Sequence, residues 1–202
     1  MDIALGILLG IGLAASCGFR VFVPLLVTSV VSLMGYLKLS PGFEWMGSWI
    51  AFAAFLTASI AEISAYYIPW LDNALDTISG PLAMVAGTIL TASFLTDVSP
   101  MIQWTLGIIV GGGTAGIVKV GASAARLTST TTTGGIGNPV IATAENVSSL
   151  GMSILAFIVP VVTAFVVIII VIYVIRKFSN FRKLRMISSQ ERSDHKLKES
   201  MK

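Results

Sequence analysis

The sequence predicts an all-α fold: a polytopic transmembrane helical bundle of six or seven membrane segments, with an internal two-fold repeat. Three observations predict it. Hydrophobic residues make up 55% of the chain and charged residues 11%, whereas soluble domains carry roughly 25% charged residues. Apolar stretches of spanning or near-spanning length recur along the chain. Small residues recur every four positions, as Gly6, Gly10, Ala14 and Gly18 and again as Gly107, Gly111 and Ala115. Such stripes let helix backbones approach closely in lipid.

The charges are unevenly divided. Before residue 176 there are four basic residues, Arg20, Lys38, Lys119 and Arg126, and seven acidic ones, for a net −3. From residue 176 onward nine basic and three acidic residues give +6, so the formal charge of +3 and the pI near 9.2 belong to the tail. Cys17 is the sole cysteine and excludes an intrachain disulfide.

A spanning helix needs about 20 apolar residues. Residues 3–17 form the first segment, read as an uncleaved helix because Asp2 stands where a signal sequence carries Lys or Arg. Residues 21–37 and 49–70 form the second and third. Residues 81–95 form a short fourth, 101–118 a fifth, and 150–175 the longest and most apolar. The stretch 119–133, KVGASAARLTSTTTT, is either a polar helix buried at membrane depth or an exposed loop. Burial gives seven segments and exposure six.

A shift of 101 residues reveals the repeat. Leu5-Gly6-Ile7 falls on Leu106-Gly107-Ile108, and Gly10, Gly12 and Ala14 fall on Gly111, Gly113 and Ala115, six identities in ten positions. Glu44 falls on Glu145 and Ser48 on Ser149. The shift sets 119–133 on an apolar segment and so favours burial. The domain organisation expected is one membrane domain over 1–175, with repeats 1–100 and 101–175, followed by a disordered basic tail over 176–202. Arg176, Lys177, Arg182, Lys183 and Arg185 directly follow the last segment, which places the tail in the cytoplasm by the positive-inside rule.

Charges inside such a chain are costly and face the protein interior or water. Glu62 lies within an apolar segment. Asp72 and Asp76 are four apart, on one face if helical. Lys119, Ser123 and Arg126 continue the glycine stripe as a polar one, and Arg20 sits beside a glycine. The Gly-rich turn GGIGNP offers Asn138 and backbone N–H groups, and Pro139 opens a helix carrying Glu145. These nine residues, Arg20, Glu62, Asp72, Asp76, Lys119, Ser123, Arg126, Asn138 and Glu145, are the candidate cluster. It is read either as a ligand site or as a set of internal ion pairs. The turn lacks the Lys-Ser/Thr of a phosphate-binding loop. Neither a zinc set nor a nucleophile–base pair is evident, and His195 sits in the tail. An enzyme, a metal or a cofactor is therefore not expected. The partners expected are membrane lipid and a second copy docked through glycine-rich faces, not nucleic acid.

The stretches EISAYYIPWLDNALDTISGPLAMVAG and KVGASAARLTSTTTTGGIGNPVIATAEN resemble the bacterial membrane protein family catalogued as domain of unknown function 4126. The resemblance covers residues 5–175. It places Glu62, Asp72, Asp76, Lys119, Arg126, Gly135, Gly137, Asn138, Pro139 and Glu145 on the family's pattern. Two positions depart from it. Relatives carry Arg before the proline at Pro81, where this chain has Gly80, and a second acid after Glu145, where it has Asn146. A paired loss of one cation and one anion would explain both. The resemblance implies a multi-pass protein of the bacterial inner membrane and no particular activity. Two functions fit: a small transporter or channel-like protein for an anionic or zwitterionic solute or a lipid head group, and a structural or regulatory membrane subunit.

Overall fold

The computed structural model describes residues 2–177, apart from the side chains of Pro69, Trp70, Asp72 and Asn73. The tail beyond Lys177, with His195, lies outside the described residues. All regular structure among the described residues is helical: α1 (Ile3–Phe19), α2 (Phe22–Leu33), α3 (Trp49–Ala65), α4 (Pro69–Phe94), α5 (Pro100–Leu106), α6 (Gly113–Thr133), α7 (Asn138–Ile158) and α8 (Pro160–Lys177). A 3₁₀ turn, Glu44–Gly47, precedes α3, and a π-helical segment, Gly107–Gly112, joins α5 to α6.

Among the described residues four helices are long and apolar enough to cross a membrane: Ala74–Phe94 within α4, the continuous run Pro100–Thr133, α7 and α8. The other three, α1, α2 and α3, are shorter apolar helices. Large apolar side chains face outward along this set, among them Ile108, Ile109, Leu155, Ile158, Val162, Phe165 and Ile169. Exposed apolar surface of that extent is incompatible with water as the surrounding solvent. The chain is an integral membrane protein.

The helix α1 is the spatial centre. It is apolar all round, as suits a helix that is largely covered beyond its exposed first turn, and Leu13, Ala14, Ala15 and Ser16 are fully buried. Its glycines are the points of contact. A Cβ at Gly6 would lie 2.7 Å from the Phe94 carbonyl oxygen of α4, and one at Gly18 would lie 2.6 Å from Val118 of α6. Gly12 faces Ala156 of α7 and Thr163 of α8. The Thr91 side chain of α4 fills the space beside both Gly10 of α1 and Gly111 of the π segment, and a Cβ at Gly111 would overlap the Gly87 carbonyl. The small-residue stripes are thus packing surfaces within the chain.

These contacts define two ends. One end holds Gly6, Phe94 and Phe157, with the two phenylalanine rings 6.2 Å apart. There Gln103 donates to Ser40 Oγ at 2.7 Å and to the carbonyls of Ala92 and Leu95, satisfying a chain turn that carries no regular structure. The other end holds the α1–α2 joint at Arg20, the α3–α4 joint at Tyr66, and the facing stretches of α6 and α7. The helix α2 stops before this first end at Gly35, whose φ of +78° closes a Schellman cap with Gly35 N–H on Ser32 O and Tyr36 N–H on Val31 O.

Several sequence expectations change. The stretch 119–133 is neither a loop nor a separate segment. It continues the helix from Pro100, and the glycine triplet 111–113 belongs to a π-helical turn and its exit. That run has 34 residues, about 51 Å at 1.5 Å per residue, and so exceeds a hydrocarbon core of about 30 Å. The apolar stretch 150–175 is not one helix. Pro160 has no N–H to continue it, and Val159 turns out of helical geometry (φ −137°, ψ 68°). Its first part is the C-terminal half of the helix that carries Glu145. The short segment 81–95 likewise extends back to Pro69, with Pro81 inside the helix.

Candidate functional site

The site is built where three chain joints meet, and its hub is Tyr66, the residue that ends α3. Its ring is buried. Arg20 Cζ lies 3.8 Å and Arg126 Cζ 4.2 Å from the ring centroid, and Lys119 Nζ lies 5.7 Å from it. Lys119 Nζ also donates to the Tyr66 hydroxyl at 3.5 Å. Guanidinium groups stack on aromatic faces, and each such contact contributes about 2 kcal/mol when desolvated. Three cations brought this close repel one another, so the arrangement requires carboxylates.

Glu145 supplies the first. It accepts from Arg126 Nε at 2.9 Å and from Arg126 Nη2, and its Oε2 lies 3.1 Å from Arg20 Nη1. One carboxylate therefore holds a guanidinium from α6 and another from the α1–α2 joint. Arg20 is further fixed by Asn146 Oδ1, which accepts from its Nε, and by the Ala142 carbonyl at 3.1 Å. Asn146 in turn donates to the Tyr67 hydroxyl, which shares a hydrogen bond with Thr143. Arg20 is the largest fully buried side chain among the described residues.

Asp76 supplies the second. Its Oδ1 lies 3.1 Å from Lys119 Nζ and its Oδ2 4.0 Å from Arg126 Nη1. Its side chain is 28% exposed, against 6% for Lys119 and 3% for Arg126. Glu62 has a different task. Its Oε1 accepts from Val21 N–H at 2.8 Å and its Oε2 from Phe22 N–H at 3.0 Å. It is a cap for the first turn of α2, delivered from another helix. A carboxylate there satisfies otherwise unpaired N–H groups and meets the positive end of the helix dipole.

The structure thus brings together six of the nine residues singled out from the sequence: Arg20, Glu62, Asp76, Lys119, Arg126 and Glu145. The Asp72 side chain lies outside the described residues. Ser123 is half-buried and off the cluster. The buried face of α6 runs through Ala115, Lys119, Ala122, Arg126 and Ser129, because 3.6 residues per turn carry a strict four-residue stripe away from a contact. Asn138 pairs with Thr130 at the α6–α7 turn, its Nδ2 donating to Thr130 Oγ1 at 3.1 Å. Glu44, the repeat counterpart of Glu145, sits at the opposite end and accepts from Gly42 N–H. The residues the sequence reading missed are Tyr66 and Asn146 as working members. Tyr66 carried a signal, since it follows Glu62 by four positions and shares its helix face.

One family model matches the chain, over residues 7–180, and is described as Domain of unknown function (DUF4126). No curated protein and no solved structure matches.

Proposed function

The chain belongs to that family, and from its charge cluster we propose that it is a small transporter or channel-like protein handling an anionic or zwitterionic solute or a lipid head group. The observation that carries this reading is the convergence of Arg20, Lys119 and Arg126 on one buried ring. Holding a bundle together in lipid does not call for three cations at one point, because a buried ion pair gives little net stability over apolar packing. Ionisable residues within membrane segments mark ligand and proton paths. Lys119 and Arg126 supply charge to the ligand. Glu145 balances the charge of Arg20 and Arg126 and holds both in place, and Glu62 fixes the α1–α2 joint on which Arg20 sits.

The topology proposed with it has seven passes, counting α5 to α6 as one, with the two ends of the described chain on opposite faces. The alternating directions of α1 to α8 between the Phe94 end and the Arg20 end support it. So do Arg176 and Lys177, which close α8 at the Arg20 end and favour a cytoplasmic position there in a bacterial inner membrane. A duplicated ancestor remains the reading of the 101-residue repeat.

A second reading has one specific observation in its favour. Each of Arg20, Lys119 and Arg126 already has a carboxylate within 4.0 Å. On this reading the protein is a structural or regulatory subunit and the charges are internal. Flux of phosphate, succinate and glutamate into proteoliposomes separates the two. The transporter reading expects uptake of at least one anion, lost in Lys119→Gln and Arg126→Gln; equal uptake in folded variants removes the site assignment.

A further inference from the structure

We propose that Asp76 is a built-in, displaceable occupant of an anion site formed by Lys119 and Arg126, and that the ligand presents a carboxylate- or phosphate-type oxyanion group to the same two cations. This rests on the ligand-handling reading of the cluster and names the place and the chemistry of the ligand.

The carboxylates of the cluster are held unequally. Glu145 is gripped by Arg126 through two nitrogens and by Arg20 through a third, and its side chain is 5% exposed. Glu62 is tied to two backbone N–H groups. Asp76 is held through Lys119 at 3.1 Å and Arg126 at 4.0 Å, and more than a quarter of its side chain is exposed. An oxyanion arriving from that side meets the same ammonium and guanidinium groups. It can replace the Asp76 carboxylate without disturbing the Arg126–Glu145 pair, so the charge of the site is conserved through the exchange.

The backbone under Asp76 permits the exchange. Four residues after it, a Cβ at Gly80 would meet nothing within 4 Å, and Pro81 follows inside the helix. Proline removes one i→i−4 hydrogen bond and its ring crowds the preceding turn, which makes this the natural place for α4 to bend. Beyond it, Ala83, Ala86, Leu90, Ala92 and Phe94 are buried and fix the rest of α4. Before it, Ala74, Thr77 and Ile78 are exposed. The segment 74–80 also borders an open groove of about 320 Å³, lined by its Leu75 and Ile78 and, across from them, by Phe22, Ala58, Ala61 and Ala65. The segment that carries Asp76 therefore has a proline at its base and an open groove beside it.

The test is inorganic phosphate binding by calorimetry, on the full chain in phosphatidylcholine nanodiscs. A site whose occupant is removed binds with its intrinsic affinity, so Asp76→Asn is expected to bind phosphate about tenfold tighter than the wild type or better. Adding Lys119→Met to Asp76→Asn is expected to abolish the gain. Hydrogen exchange on the wild type needs no variant: phosphate is expected to speed exchange of the amides of 74–80. In a second arm, nanodiscs doped with phosphatidylglycerol and free of phosphate are expected to show the same exchange change if the group comes from a lipid head group. Silence there, with a response to free phosphate, assigns it to a solute. Unaltered affinity in Asp76→Asn together with unaltered exchange overturns the displaceable occupant, while binding that still depends on Lys119 and Arg126 leaves the ligand-handling reading standing. Absence of binding by every form, with exchange unchanged in both arms, overturns both.

Discussion

Glu145 and Arg20 meet across the contact of α7 with the α1–α2 joint, Arg20 Nη1 lying 3.1 Å from Glu145 Oε2, and neither side chain has appreciable exposure. Since the same oxygen also receives Arg126 Nη2, this carboxylate separates two guanidinium groups that share one tyrosine ring. Its removal leaves both buried and repelling. Glu145→Gln is expected to destabilise the protein by about 3–5 kcal/mol, the usual cost of breaking a buried ion pair by removing one partner. Adding Arg126→Gln recovers part of that loss, with a coupling of about 0.5–3 kcal/mol. Reversible unfolding in mixed micelles measures both; additive losses would show that the pair is not coupled.

The ring itself and its hydroxyl make separable contributions. Tyr66→Phe keeps the face on which Arg20 and Arg126 stack and loses the long hydrogen bond from Lys119, so a loss within about 1 kcal/mol is expected. Tyr66→Ala removes the platform and leaves a cavity, at about 3–5 kcal/mol. The same unfolding assay distinguishes them, and equal losses would place the hub in the hydroxyl instead.

Much of this cluster is legible in the sequence. Glu62, Asp76, Lys119, Arg126, Arg20 and Glu145 stand out because an ionisable residue in an apolar chain needs a partner. The partners were not legible. Lys119 pairs with Asp76 and Arg126 with Glu145, a choice made by which helices touch. Nor did the linear pattern reveal Glu62 as a cap for α2, because the groups that donate to it are backbone N–H groups at the start of another helix. Tyr66 was hidden by being apolar enough to pass as part of its segment. The helices themselves were mostly legible, with boundaries misjudged where hydropathy ran on through Val159 and Pro160, or fell away after Val118 without ending the helix.

Glycine positions give a stability prediction independent of charge. Gly111→Ala drives a methyl into the Gly87 carbonyl and the Thr91 hydroxyl and is expected to cost about 1–3 kcal/mol. Gly151→Ala in α7 meets nothing within 4 Å and is expected to gain about 0.5–1 kcal/mol by lowering the entropy of the unfolded chain. Melting temperatures in one detergent check the pair, and a Gly111→Ala variant as stable as the wild type would contradict the close approach of α4 to the π segment.

The Glu62 cap is tested locally. Glu62→Ala leaves the Val21 and Phe22 N–H groups without their acceptors, and a loss of about 0.5–2 kcal/mol is expected, as for other caps. Amide exchange resolved along the chain should accelerate in the first turn of α2 and leave α7 unchanged. Uniform acceleration would mean that Glu62 supports the whole bundle.

Two roles are open to Lys119: handling an anion, as proposed, or merely balancing Asp76. A charge-neutral double substitution, Lys119→Met with Asp76→Asn, separates these roles because it removes the pair without orphaning either member. The direct measurement is anion uptake into proteoliposomes by this folded variant beside the wild type. Uptake by the wild type and none by the variant is expected if Lys119 handles the anion. Equal uptake by both would contradict that role.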